Sequence, residues 1–166
     1  MTTIRPALAP DAPFIASIHV EGWQTAYRGI LADEYLDSLS IDQRVAFWKQ
    51  HLHREPHLIF VAEDPRRGIV GFAFAGHHHG SFGDYQGEIH AIYVLEQYQR
   101  HGIGRALFHQ AATALSEADY TGMMIWALKQ NPYRRFYEKL GFKASAASKE
   151  AVGRGVLLTM NDMIQS

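Results

Sequence analysis

The sequence predicts an α+β fold, and three observations carry that expectation. Short runs of β-branched and aromatic residues alternate with segments whose apolar residues recur every three or four positions. In the second half, "GEIHAIYV", a long amphipathic stretch and the apolar run "MMIWAL" succeed one another, which is the pattern of a strand–helix–strand crossover. No internal repeat or low-complexity linker divides the 166 residues, so residues 1–166 read as a single domain, large enough to bury a core without staples.

The elements follow in order. "TTIRPAL" suits a short first strand. Phe14, Ile15, Ile18, His19 and Trp23 then recur at helical spacing, behind Pro10 and Pro13, which fit a first turn, and predict a helix over about residues 11 to 23. "YRGILADEYLDSLS" is broken and partly helical. Ser40 to Gln43 has capping-box spacing, and Ile41, Val45, Trp48 and Leu52 mark one face of a second helix. "HLIFVAED" and "IVGFAFAGHHH" read as strands joined through the turn "PRRG". "GEIHAIYV" is the next strand. Ile103, Leu107, Ala111 and Leu115 then line a long helix, and "MMIWAL" is a strand covered on both faces. Asn131-Pro132 opens the helix "PYRRFYEKL", Gly141 stops it, and "GFKASAAS" with "GRGVLLTMND" forms a closing hairpin.

Composition excludes several classes. At 47% hydrophobic and 20% charged, the chain is built like a globular protein and not a disordered one. A formal net charge of −1 gives no broad attraction for nucleic acid or an acidic membrane, so any anion site must be local. With no cysteine there is no disulfide, thiolate metal site or cysteine nucleophile, which fits a reducing compartment. No run resembles a signal peptide or approaches the roughly 18 apolar residues of a membrane span. A cytoplasmic location is expected.

The stretch "QYQRHGIGRALF" holds the chemistry. At the start of a helix the first N–H groups lack internal partners and point together with the positive end of the helix dipole, which suits a phosphate. Glycine at 102 and 104 removes the Cβ that holds a diphosphate off the backbone and permits left-handed φ. Arg100, His101 and Arg105 add charge-assisted contacts. Gly-x-Gly is also an ordinary strand-to-helix turn. The segment lacks the third glycine of the dinucleotide fingerprint and the Gly-Lys-Ser/Thr ending of the P-loop.

Together, "IYVLEQYQRHGIGRALF" and, one helix and one strand later, "NPYRRFYEKLGF" resemble the two signatures of the GNAT superfamily of N-acetyltransferases. The resemblance covers about residues 57 to 142, and "IRPALAPDAPFIASIHVEGW" is similar to the family's first strand and helix. It implies a GNAT acyltransferase fold: a central mixed sheet of about six or seven strands, opened in a V where acetyl-CoA enters, with helices on both faces. It implies that the backbone of Ile92, Tyr93 and Val94 pairs with the pantetheine arm, and that the Val94 N–H sits near the thioester carbonyl. Residues Arg100, His101, Gly102, Ile103, Gly104 and Arg105 would take the pyrophosphate, and Asn131 and Tyr137 would face the cofactor. Acetyl-CoA is thus the implied cosubstrate, with no metal.

Acetyl transfer to an amine needs a neutral nucleophile, a polarised carbonyl and a proton for the departing thiolate. Tyr137 matches the family tyrosine that protonates the coenzyme A sulfur. Glu88, at the start of the central strand, stands where several family members place a base; the bland alternative is a solvated strand-end charge. His90 shares its face by period two and is a second candidate, with Tyr93 expected to point the other way. Trp23 and Tyr27 are candidate walls of the acceptor pocket, with core packing as the rival reading. Core packing is preferred for Trp48.

The triplet His77-His78-His79 invites a metal reading, yet alternation splits it between two faces and no carboxylate stands at ligand spacing. It reads as a strand end. Arg66-Arg67 reads as a solvated turn, and Arg134-Arg135 as a possible contact to the 3′-phosphate.

The expected activity is direct transfer of an acetyl group from acetyl-CoA to a primary amine of a small molecule or a peptide N-terminus, without an acyl-enzyme. The alternatives are an acyl-CoA sensor without turnover and a nucleotide-binding interaction domain using the same glycine turn. No nucleic acid or membrane partner is expected. A homodimer is possible through the closing strands.

Overall fold

The β-branched and aromatic runs pair into one sheet, and the helical segments cover it. The computed structural model describes residues 1–29, 31–52, 58–77, 87–120, 123–128, 134–151 and 153–160. Its strands are β1 (Thr3–Pro6), β2 (Ile59–Asp64), β3 (Gly68–His77), β4 (Gly87–Val94), β5 (Met123–Leu128), β6 (Lys143–Ala151) and β7 (Gly153–Met160). They hydrogen-bond in the order β1-β2-β3-β4-β5-β7-β6. Neighbours run antiparallel except β4 and β5, which are parallel. The helices are α1 (Ala12–Tyr27), α2 (Asp33–Asp37), α3 (Ile41–His51), α4 (Ile103–Glu117) and α5 (Arg134–Lys139). Among the described residues no helix is long and apolar enough to cross a membrane.

Local chemistry explains the ends. Ser40 Oγ accepts from the Gln43 N–H at 3.2 Å and opens α3. Asp64 Oδ1 accepts from the N–H groups of Arg66 and Arg67, both at 2.9 Å, and closes the exposed β2–β3 turn, so this arginine pair is the solvated turn expected. Two apolar assignments are corrected: Phe14 and Ile41 lie on exposed faces of their helices, leaving Ile15, Ile18 and Trp48 as the inward residues. Helix α1 also runs one turn past residue 23. There Trp23 packs edge-on against Tyr27, centroids 4.9 Å apart, and Ala26, Tyr27 and Leu36 form a small core of their own.

The helices lie on opposite faces of the sheet. Phe72 of β3 meets Trp48 of α3 and His19 of α1, with centroids 5.2 and 5.9 Å apart. Its neighbour Gly71 points the other way, where an added Cβ would stand 3.3 Å from Leu107 Cδ1 of α4. Trp48, Phe72, Leu107 and Leu115 are almost fully buried, so the main core fills both sides of the central strands.

Candidate functional site

The site begins where β4 and β5 part. They pair only at Gly87↔Met123 and Glu88↔Met124 among the described residues, although β4 continues to Val94 and β5 to Leu128. Beyond Met124, β5 keeps a partner only on its other side, in β7, through Leu128↔Gly155. Among the described residues β4 therefore has no strand partner on that side beyond Glu88. His90 shows the effect: the residue is exposed while its side chain retains only 24% of its surface, so much of what it shows to solvent is main chain.

A 3-10 turn over Glu96–Tyr98 then leads into α4. Gln99 Nε2 donates back to the Val94 carbonyl at 2.9 Å, which ties the turn to the strand end. Arg100 has φ 66° and Gly102, the N-cap of α4, has φ 82°. Two left-handed residues so close together form a concave turn that aims successive N–H groups at one spot, beside the unpartnered first N–H groups of the helix. A non-glycine residue in this conformation costs about 1 kcal/mol, and the strain lies at the point where the chain turns into the slot.

The two glycines do different jobs. An added Cβ at Gly102 meets nothing within 4 Å, so its value is the left-handed φ. One at Gly104 would stand 3.2 Å from Phe136 Cζ, so its bareness admits α5 against the first turn of α4. A reading of both as clearance for a ligand alone is therefore too simple.

Between these elements lies a cavity of about 430 Å³. The turn contributes Arg100, Gly102, Gly104 and Arg105; β4 contributes Ile92, Tyr93 and Val94; α5 contributes Phe136 and Tyr137. His101 is exposed and Ile103 buries its side chain in the core, so neither side chain lines the cavity. Tyr137 is 7% exposed and packs in the core cluster beside Phe136 and Phe142. Asn131, His78 and His79 lie outside the described residues, as do the side chains of His77 and Arg134.

The fourth wall comes from α1, through Ile18, Glu21, Gly22 and Thr25. These residues had not been singled out together, although their spacing of i, i+3, i+4 and i+7 is one helical stripe.

The expected orientation of Tyr93 is corrected. In the β3–β4 ladder Phe74 pairs with Ala91 and Ala75 with Ile89, so His90 is an extra residue in β4. This bulge shifts the alternation by one. Gly76 faces Glu88 and Phe72 faces Tyr93 in register, so Glu88 and Tyr93 point to the same face in spite of their odd separation. His90 joins them, with its ring 4.8 Å from that of Phe74. Its Nδ1 contacts Glu88 Oε2, Glu88 being the more buried at 14% against 24%. An added Cβ on Gly76 would lie 3.2 Å from His90 Nε2, so the bare glycine eases the imidazole against β3.

Trp23 and Tyr27 stand behind the cavity wall. Burial above all, then the neighbouring Tyr27 and Tyr137 phenols, holds the Tyr93 hydroxyl well above the usual tyrosine range, so it is neutral at every physiological pH. The structure thus brings together the turn, β4, Tyr93 and Tyr137, places Glu88 and His90 farther along the same face of β4, and puts Trp23 and Tyr27 in the small core with Ala26 and Leu36. Among the described residues no group of three histidines and carboxylates is placed to hold a metal ion.

Comparison with known proteins agrees with this geometry. Residues 55–144 match the family model described as an acetyltransferase (GNAT) domain. The chain is 38% identical over 138 residues to the uncharacterized N-acetyltransferase YuaI of Bacillus subtilis, covering 83% of this chain and 78% of that protein. It is 32% identical over 144 residues to a probable N-acetyltransferase of Mycobacterium tuberculosis, covering 84% and 78%. In three dimensions it is similar to the PaiA N-acetyltransferase of Thermoplasma acidophilum, solved in complex with coenzyme A. The TM-score is 0.78 at 20% identity, covering 97% of this chain and 99% of that one, a likeness of fold.

Proposed function

Because the chain belongs to the GNAT family and is an acetyl-CoA-dependent N-acetyltransferase, we propose that it is one catalytic domain that transfers acetyl directly to a primary amine of a small molecule or a peptide N-terminus. The observation that carries this reading is the parting of β4 from β5 beside the left-handed turn of Arg100 and Gly102. It leaves a strand edge unpaired among the described residues, a helix N-terminus and a buried tyrosine hydroxyl around one cavity.

The residues fit acetyl-CoA. The N–H groups of residues 102 to 105, with the Arg100 and Arg105 guanidiniums, would take the pyrophosphate. The edge of Ile92, Tyr93 and Val94 would accept the pantetheine amides as an added strand. Bound acetyl-CoA supplies an activated thioester. The Val94 N–H is then the donor at the developing oxyanion. Tyr137 Oη holds the proton that the departing thiolate takes up.

The amine must lose a proton, and the Glu88–His90 pair is the base. The carboxylate fixes the tautomer by accepting from Nδ1–H, and Nε2 is left as the proton acceptor. The carboxylate steadies the imidazolium that forms.

The test is a screen of amines with acetyl-CoA that follows thiol release. An acceptor should emerge, and Tyr137→Phe should lower kcat by about 10²-fold with coenzyme A affinity unchanged. Unchanged kcat in that variant would remove Tyr137 from the mechanism, and no coenzyme A binding by the wild type would overturn the whole reading.

A further inference from the structure

The Tyr93 ring is backed by α1 and β3 and faces the cavity. An added Cβ on Gly22 would lie 2.5 Å from its Cδ1, so α1 rests directly on the ring. The rings of His19 and Phe72 stand 5.6 and 5.7 Å from it. Trp23 and Tyr27 pack edge-on against each other in the last turns of α1, the helix whose Gly22 backs the ring. Swinging the ring toward α1 would drive it into the Gly22 backbone.

The clamp has a position that matters. Counting back along β4 from the glycine turn, Val94, Tyr93 and Ile92 lie successively farther from the pyrophosphate end, and Tyr93 shares the cavity with Tyr137. If the sulfur lies beside Tyr137, as the proposed function has it, its acyl group enters the cavity that Tyr93 also lines. The bulge at His90 is what puts the phenol ring there, because uninterrupted alternation from Glu88 turns position 93 to the α4 face.

We propose that Tyr93 sets the length of the acyl group this enzyme accepts, its clamped ring forming a rigid end wall that fits acetyl and rejects longer straight chains. The proposal rests on the acetyl-CoA reading of the cavity. A soft wall of Met or Leu would repack around an extra methylene, whereas a ring backed by Gly22, His19 and Phe72 cannot yield. Each added methylene at such a wall is worth about 10-fold to 200-fold in discrimination.

Calorimetric titration of coenzyme A, acetyl-CoA, propionyl-CoA and butyryl-CoA tests this without an acceptor. Wild type should bind acetyl-CoA at least 10-fold more tightly than butyryl-CoA. Tyr93→Ala should bring that ratio to within about threefold, and Tyr93→Leu, a milder truncation, should fall between. Wild type that binds coenzyme A but takes butyryl-CoA as readily as acetyl-CoA overturns this proposal alone. So do variants that keep the wild-type ratio. Failure of wild type to bind coenzyme A overturns the cavity reading and this proposal with it.

Discussion

Replacing His19 with phenylalanine should remove a specific weakness of this fold in acid. The imidazole is enclosed by the rings of Trp23, Trp48, Phe72 and Tyr93, and its Nδ1 is buried without a hydrogen-bond partner. Burial first, and then the charge of Arg44, pulls its pKa from 6.5 to about 4. The folded protein therefore keeps this histidine neutral, while the unfolded chain binds a proton near the ordinary value. Stability linked to His19 is complete above about pH 6.5 and drains as pH falls toward about 4, because the unfolded state binds more protons throughout that window. At about 1.36 kcal/mol per pH unit, the loss between pH 7.5 and 4.5 is about 2.5 kcal/mol. The measurement is urea unfolding of wild type and His19→Phe at several pH values in that range. The wild-type free energy should fall by about 2.5 kcal/mol more than that of the variant, with the divergence confined below about pH 6.5. Parallel curves would refute the argument, since they would mean that the imidazole charges in the folded state as readily as in water.

Two further outcomes test other parts of the molecule. Gly104→Leu should push Phe136 and α5 off the first turn of α4, costing about 1–3 kcal/mol in urea unfolding and at least about 10-fold in coenzyme A affinity by calorimetry; retained affinity would separate this contact from the cavity. Burial opposes ionisation of Asp11, but the bonds from Arg5 Nη1 at 2.8 Å and the Leu8 N–H at 2.7 Å outweigh it and hold the carboxyl below its usual range. Its stabilisation is present above the unfolded value of about 3.9 and is lost as pH falls through the depressed folded value. Asp11→Asn should therefore cost about 1.5–3 kcal/mol at pH 7 in the same unfolding assay and flatten the acid limb below pH 4.

What local chemistry dictates was legible in the chain. "GEIHAIYV" and "MMIWAL" coincide with β4 and β5 at both ends, because each is a β-favouring run, the first beginning on Gly87 and the second just after Gly122. The Ser40 cap stands where its spacing put it, and the Gly102 turn adopts the left-handed backbone that glycine permits. The two family signatures likewise survive as local sequence, since a helix N-terminus and a buried aromatic helix face need only near neighbours to form.

Tertiary structure decided the rest. One extra residue at His90, visible only once β3 is laid against β4, turned Tyr93 toward α1 and into line with Glu88, whereas period-two counting sent it away. The role of Gly104 depends on Phe136, 32 positions later, and the last turn of α1 on a small core shared with Leu36. Sequence determines which backbone conformations are cheap at each position. Which face a side chain reaches, and how close another helix can come, is set by register and packing between segments distant in the chain, which no periodicity within one segment records.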